Sequence, residues 1–431
     1  MEKKYLGPEK IIDKKKEYLI PCSYHFYSNP PQIVKGDMQY LFDSSGKRYI
    51  DFFSGVSVMN CGHCNPEILE KTIEQMKTLQ HTTTIFLTEP IVSLAEKLAE
   101  ATPGSLKRSF FCGTGSEANE GAMLLAKLYT GNNEFIALNL GLHGRTHLTI
   151  SVTGIGMWRT DPFPAGGVHF APNPYCYRCP YKSVNDECGM ECVQAVENVI
   201  KNHTSGRVAA MIAETIQGNG GIITPPKNYF KELKNVLDKW EIPLIIDEVQ
   251  TGFARTGKMF AIEHYEVEPD IMTVAKALGN GVPIAAYITN DKIGKTFTKP
   301  SASTLGGNPV SAAAGIAVLE YIERHNLIKR AETLGKRLKD GLLKLKDKYS
   351  IIGDVRGIGL MLGAELVKEN KEPATRETDI ILEALKDRGI IIGKNGEYRN
   401  VLAFQPPLVI SEEDIDSLII ELDNVLENVT I

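Results

Sequence analysis

Two apolar runs in the middle of the chain constrain its fold most. Pro243–Gly252 reads PLIIDEVQTG and Asp270–Gly281 reads DIMTVAKALGNG. Each run of aliphatic and β-branched residues delivers a charged side chain, Asp247 in the first and Lys276 in the second, then breaks into glycine-containing loop. Short apolar runs of this kind, bounded by Pro and Gly, are what strands buried on both faces look like. In sheets built from such strands, ligands bind just beyond the carboxyl ends. The pattern therefore predicts an amine and a carboxylate at neighbouring strand ends, over one binding crevice.

A third segment supplies an anion cradle. Arg108–Leu128 (RSFFCGTGSEANEGAMLLAKL) passes from an apolar strand through Gly113-Thr114-Gly115-Ser116 into a helix. Gly115 lets backbone approach an anion, Thr114 and Ser116 offer hydroxyls, and the helix N-terminus offers free N–H groups. Ser followed by Glu also suits an ordinary helix cap. Joined to Asp247 and Lys276, the three parts suit pyridoxal phosphate. Lys276 would bond its aldehyde and Asp247 would keep its pyridine nitrogen protonated, so that the ring accepts electrons. The freed lysine can then carry a proton between substrate and coenzyme.

Composition narrows the alternatives. With 48 basic and 53 acidic residues the formal charge is −5, and no basic block points to a nucleic-acid partner. The opening MEKKYLGPEKIIDKKKEYL has charges throughout and no apolar signal core, and no run is long enough for a membrane span, so a cytoplasmic enzyme is expected. Of eight cysteines, Cys61 and Cys64 form CGHC, which has redox spacing without a thioredoxin-like context. Cys176, Cys179, Cys188 and Cys192 form two close pairs, whose spacing raises a structural zinc or iron–sulfur site away from the chemistry. Gly252–Lys258 (GFARTGK) copies P-loop spacing, but Met259 stands where a magnesium-binding Ser or Thr is needed.

Helical stretches alternate with apolar strands from about residue 70 to 300, which predicts an α/β fold with a mainly parallel sheet covered on both faces. The expected division is 1–65 as the first part of a small α+β domain, 66–310 as the large cofactor-binding domain, and 311–431 as a linking helix with the rest of the small domain. A hairpin turning at Ser44-Ser45-Gly46 opens the first part. One long helical region is expected from Pro309 to Tyr349.

With these motifs in order, nearly the whole chain resembles the class III, fold type I, pyridoxal-phosphate-dependent aminotransferases. The pattern is similar to the alanine–glyoxylate aminotransferase 2-like and ω-amino-acid aminotransferase group. The resemblance implies phosphate contacts from Gly115 and Ser116, Asp247 on the pyridine nitrogen and Lys276 bonded to the cofactor. It implies Val249 under the ring, Gln250 at the ring hydroxyl, and Leu142 and His143 beside the cofactor. Glu214, in IAETIQGNGG, resembles the acidic residue near the substrate, and Thr304, in STLGGNP, the threonine that reaches a partner's phosphate across a homodimer interface. The implied activity is ping-pong transfer of a β- or ω-amino group to an oxo acid such as 2-oxoglutarate or pyruvate.

Two positions depart from that pattern. Leu142 stands where an aromatic ring usually stacks on the cofactor. Ala403, in VLAFQPPL, stands where relatives commonly carry the arginine that grips an α-carboxylate, leaving Glu214 without its usual partner. Either Arg399 replaces that guanidinium, or Arg145 or Arg159 holds the substrate elsewhere, or the substrate has no carboxylate beside its reacting carbon. The last case includes a β-aminoacyl-CoA thioester. A phospho-lyase or racemase on the same scaffold is the alternative outcome.

Overall fold

The structure is a computed structural model and describes residues 5–181 and 188–429. Fourteen strands among these residues form two seven-stranded sheets. In chain order, β1 (Ile33–Asp37), β2 (Tyr40–Asp43) and β3 (Arg48–Phe52) come first. Then follow β4 (Arg108–Cys112), β5 (Glu134–Leu138), β6 (Val168–Ala171), β7 (Val208–Glu214), β8 (Leu244–Asp247), β9 (Ile271–Val274) and β10 (Ala285–Thr289). The last four are β11 (Ile352–Ile358), β12 (Met361–Leu366), β13 (Ile390–Asn395) and β14 (Val401–Phe404).

Strands β4 to β10 make the larger framework, in the order β4-β10-β9-β8-β7-β5-β6. Pairing is parallel from β9 through β8, β7 and β5 to β6, while β10 runs against both its neighbours. The near-continuous apolar runs have the burial they predict: every residue of β7, β8 and β9 is buried. Buried strands leave their carboxyl ends as the place where polar side chains surface, and Glu214 and Asp247 are the last residues of β7 and β8.

The second sheet joins the two ends of the sequence, in the order β1-β2-β3-β13-β14-β12-β11. Its seam is the parallel pair β3–β13, with Ile50 opposite Ile390 and Phe52 opposite Ile392. The expected hairpin links β2 to β3, and Gly46 takes the left-handed conformation (φ 89°) its tight turn requires. One apolar cluster runs through both sheets, from Leu244, Ile246 and Met272 to Phe52, Leu402 and Phe404. The expected single helical region is two helices, Pro309–Arg324 and Leu327–Lys348. They part at Asn326, whose left-handed backbone (φ 49°) a helix cannot continue through.

The stretch with P-loop spacing serves as a clamp. Arg255 is fully buried, and its Nη1 donates to the carbonyls of Leu360 (3.0 Å) and Pro406 (2.5 Å) while Nη2 bonds the Asn60 side chain. One side chain thus ties the loop after β8 to segments from both ends of the chain.

The four-cysteine reading is not supported. All four are free thiols, and among the described residues no group of three or more His, Cys, Asp or Glu side chains could hold a metal ion. Other bonds fix the Cys176–Cys179 turn: Arg178 Nε donates to Glu365 (2.6 Å), Tyr175 bonds the same carboxylate, and Lys371 donates to the Tyr177 carbonyl (2.8 Å). Cys61 is buried, and burial pushes its thiol far above the ordinary range, so it offers no ready thiolate for redox exchange with Cys64.

Candidate active site

Sheet register brings the site together. In the parallel β7–β8 pair Glu214 lies opposite Asp247, and in the β8–β9 pair Asp247 lies opposite Thr273. Residues directly opposite share a face, so the two carboxylates emerge side by side. Three residues beyond Thr273 the chain turns sharply, and Lys276 takes a left-handed conformation (φ 46°) that is rare for a lysine. A backbone state this unusual persists where surrounding structure enforces it, which is common at functional sites. Lys276, Asp247 and Glu214 all line one cavity of about 590 Å³.

The Asp247 side chain is held in a fixed orientation. It is 3% exposed. Oδ2 accepts from Asn119 Nδ2 (2.8 Å) and from His143 Nδ1 (2.9 Å), and Oδ1 accepts from the Val249 backbone N–H (3.0 Å). Asn119 is itself fixed, donating to the His143 carbonyl (2.7 Å) and accepting from Thr273 Oγ1 (2.6 Å). Burial lowers the Lys276 pKa, with Asp247 and Glu214 opposing that shift. A lysine so placed is more readily an amine.

The phosphate end is the helix Gly115–Thr130, capped by the Thr114 side chain, which accepts from Glu117 N (3.2 Å). No hydrogen bond occupies the N–H groups of Gly115 or Ser116 among the described residues. Ser116 Oγ meets the Arg145 N–H at 3.0 Å, which joins this helix to the loop carrying Leu142 and His143.

The residues present fit pyridoxal phosphate. A helix N-terminus with open N–H groups suits its phosphate. Backbone must come close there, and a Cβ on Gly115 would stand 2.9 Å from Val249 Cγ1. Gln250 Nε2 is buried without a partner and lines the cavity, where a ring oxygen would accept from it. Leu142 and Val249 supply apolar surface for a flat ring, and Asp247 Oδ1, with one backbone bond, retains accepting capacity for a protonated pyridine nitrogen.

These parts match those of known proteins. The family model for class-III aminotransferases matches residues 26–426. The chain belongs to the class-III aminotransferases. It is 43% identical over 424 residues to the mitochondrial alanine–glyoxylate aminotransferase 2 homolog 2 of Arabidopsis thaliana, covering 97% of this chain and 88% of that protein. It is 40% identical over 428 residues to the leucine/methionine racemase of Thermococcus litoralis, covering 98% and 96% respectively. Its structure is similar to an (S)-enantioselective ω-transaminase from Thermomicrobium roseum, with TM-score 0.91, 31% identity and 99% of each chain covered. Class-III aminotransferases use pyridoxal phosphate, and the two sheets with their helices are those of the fold type I enzymes. When bound, the coenzyme supplies an aldehyde for an amine and a ring that accepts electrons from the reacting carbon.

Gly115, Ser116, Leu142, His143, Glu214, Asp247, Val249, Gln250 and Lys276 all line the cavity of this aminotransferase. Two expected residues do not. Thr304 is exposed, on the loop whose Ser303 bonds Glu117 (2.9 Å) beside the phosphate helix. Arg399 packs its guanidinium over the Phe26 ring at 5.3 Å, and both terminal nitrogens are buried without partners. Phe26 lines the cavity and Arg399 does not.

Sequence reasoning also missed residues. Asn119 was legible in principle, because at helical spacing it shares the face of Ala122 and Met123, and an asparagine on an apolar face marks an inward polar contact. The aromatic wall of the cavity was not. Phe53 stacks near Phe26 (5.6 Å between centroids), Phe26 near Tyr24 (5.8 Å), and Tyr24 near Trp158 (6.0 Å). All four line the cavity, from three separate segments.

Proposed function

We propose that this aminotransferase takes an amine whose carboxylate lies far from the reacting carbon, a β- or ω-amino acid, and passes the amino group to an oxo acid such as 2-oxoglutarate or pyruvate in ping-pong turnover. Charge placement in the cavity carries this reading. Among the described residues, Lys276 and Arg145 are the only lysine and arginine lining it. Arg145 is exposed at the rim, and no ion pair or side-chain hydrogen bond engages its guanidinium among the described residues. Beside the reacting amine stands Glu214, which repels a carboxylate on the reacting carbon when ionised. The position of the missing arginine is closed: Ala403 is fully buried in a cluster with Ile216, Ile222 and Met361. Gly363 and Gly393 flank it, and Phe53 covers Gly393 so closely that a Cβ there would lie 2.5 Å from the ring.

Arg145 would thus hold the distant carboxylate, while Arg399, one aromatic ring behind the wall, would serve an oxo acid only if Phe26 moved. A homodimer accompanies this reading. Ile85 (82% exposed), Phe86 and Leu87 leave apolar surface uncovered, and exposed Leu305 adjoins Thr304 beside the phosphate helix. A second copy would cover that surface and bring Thr304 to its phosphate. No helix among the described residues is long and apolar enough to cross a membrane, in keeping with a cytoplasmic enzyme.

Mixing the reconstituted yellow enzyme with α-, β- and ω-amino acids and plain amines tests this reading. Bleaching of the coenzyme band by β- and ω-amino acids, and among α-amino acids only by the counterpart of the oxo-acid acceptor, supports it; bleaching by α-amino acids at large with β- and ω-amino acids inert refutes it. Borohydride reduction should fix the coenzyme to Lys276. The racemase relative and the apolar wall favour one rival reading, racemisation of an apolar amino acid. A racemase returns the opposite enantiomer without any oxo acid, and a lyase on this scaffold releases ammonia.

A further inference from the structure

We propose that Asn219 and Asn395 make one end of the cavity selective for a carboxamide. The favoured donor then carries, on the arm that Arg145 does not hold, a neutral group that accepts one hydrogen bond and donates another. This rests on the proposed β- or ω-amino acid reading and adds what the second substituent of the reacting carbon is.

Both asparagines line the cavity, and each has one end of its amide committed. Trp158 Nε1 donates to Asn219 Oδ1 (2.8 Å). An indole nitrogen can only donate, so the bond orients this amide, with Oδ1 toward Trp158 and Nδ2 away from it. Asn395, the last residue of β13, donates from Nδ2 to the Gly218 carbonyl (3.0 Å). A carbonyl can only accept, so Asn395 is fixed the opposite way, with Oδ1 outward. Asn219 Nδ2 and Asn395 Oδ1 have no partner among the described residues, yet neither is sealed from solvent. They open onto the cavity, one as a donor and the other as an acceptor. Turning either amide round would strand the Trp158 N–H or the Gly218 carbonyl.

The two side chains belong to one place. Asn395 bonds Gly218, Asn219 follows Gly218, and the Gly396 N–H donates to the Asn219 carbonyl (2.9 Å). These bonds lock the loop after β7 to the end of β13. Charge at this place is either negative or already paired. Glu214 accepts from the backbone N–H groups of Leu142 (2.8 Å) and Gly218 (2.9 Å). Arg356, with Nε on the Gly221 carbonyl (2.9 Å), has its Nη1 on Asp354 and Glu365 (2.8 Å each). Arg145 belongs to another segment, its backbone N–H on Ser116 Oγ (3.0 Å) at the phosphate helix.

Three kinds of group meet this end differently. A carboxylate accepts from Asn219 but has no proton for Asn395 Oδ1, and it approaches Glu214. An alkyl group leaves both amides unpaired beside the aromatic wall of Tyr24, Phe26, Phe53 and Trp158. A carboxamide satisfies both, its carbonyl on Asn219 and its N–H on Asn395. Polar groups left unpaired in a water-poor pocket are what make such a site reject the wrong analogue.

The test uses the reconstituted enzyme and three β-amino acids that share one carboxylate arm. Their second group on the reacting carbon is carbamoylmethyl, carboxymethyl or isobutyl, which have nearly one shape. With the donor half-reaction followed by coenzyme absorbance at low substrate, the carbamoylmethyl compound should react about a hundredfold faster than either other. Asn219→Leu and Asn219→Asp both remove the outward donor, but Asn219→Asp keeps an oxygen for Trp158. In both variants the preference for carbamoylmethyl over isobutyl should disappear. Independently of turnover, calorimetry on the wild-type holoenzyme with analogues lacking the amine should rank the carbamoyl analogue tightest. The proposal is overturned if another donor leads, if the analogues bind equally, or if Asn219→Asp keeps the wild-type preference, which would leave Asn219 only holding Trp158. Three donors that react alike sink this proposal and spare the β- or ω-amino acid reading. Three inert donors beside reactive α-amino acids at large sink both.

Discussion

Glu214 also leaves a mark on stability that needs no substrate. In the unfolded chain its carboxyl titrates at 4.5, and in the folded protein at about 7. The native state therefore holds a proton between these values that the unfolded state has released, so stability falls as pH rises through that window. The loss begins above pH 4.5 and is complete once pH has passed about 7. Moving from 4.5 to about 7, at about 1.4 kcal/mol for each pH unit, gives a loss of about 3–4 kcal/mol. The side chain is 6% exposed, so solvent screening takes little from that figure. Glu214→Gln removes the titration but gives up one acceptor, since its amide nitrogen cannot take both the Leu142 and Gly218 N–H groups; that costs about 1 kcal/mol at every pH. The assay is urea unfolding of both apoproteins at fixed concentration from pH 4.5 to 8.5. Groups remote from the site titrate alike in the two chains, so the difference isolates Glu214 together with its coupled neighbours Lys276, Asp247 and His143. The variant should start slightly less stable than wild type at pH 4.5 and become more stable by pH 8. Parallel curves across the range would show that Glu214 is ionised in the native state throughout, and the reasoning would fail.

Other expectations follow from single contacts. Gly115→Ala places a methyl 2.9 Å from Val249 Cγ1, and coenzyme affinity measured by absorbance titration should drop at least tenfold while apoprotein stability changes little. Asp247→Asn sets an amide against the donors of Asn119 and His143, losing a charged hydrogen bond of about 2 kcal/mol, and single-turnover bleaching should slow by well over tenfold. Arg145→Ala should raise the half-saturating concentration of an ω-amino acid at least tenfold and leave that of the matching plain amine unchanged. Arg255→Met strands the Leu360 and Pro406 carbonyls and Asn60 in the interior, and should lower unfolding stability by about 3–5 kcal/mol in a denaturant titration.

The cofactor half of the site was legible because each of its parts is written in one continuous stretch. Asp247, Lys276 and Gly115 each end an apolar strand or follow it within a few residues, and burial of that strand fixes where the next polar side chain emerges. The parallel sheet was legible for the same reason, although nothing in the β10 run marked it as antiparallel. The substrate half was not. Tyr24 and Phe26 come from chain outside any helix or strand, Phe53 from the residue just after β3 and Trp158 from a short turn, and only tertiary packing gathers them. Arg399 illustrates the limit of distance along the chain: four residues from Ala403, its guanidinium lies behind Phe26. The cysteine pairs had ligand-like spacing, but spacing cannot report that Glu365 already anchors the Cys176–Cys179 turn through Arg178.

The pairing of β3 with β13 has a consequence for synthesis. Ile50 finds its neighbour only when Ile390 has been made, some 340 residues later. During that interval the first three strands have an open edge and an apolar face with nothing of their own sheet to meet. Tyr24, Phe26 and Phe53, which precede or adjoin them, cannot close the cavity until Asn395 has arrived. Coenzyme capture in a finished pocket is therefore a late event in the life of each polypeptide, and truncation anywhere before the final forty residues should yield a chain that neither seals nor turns yellow.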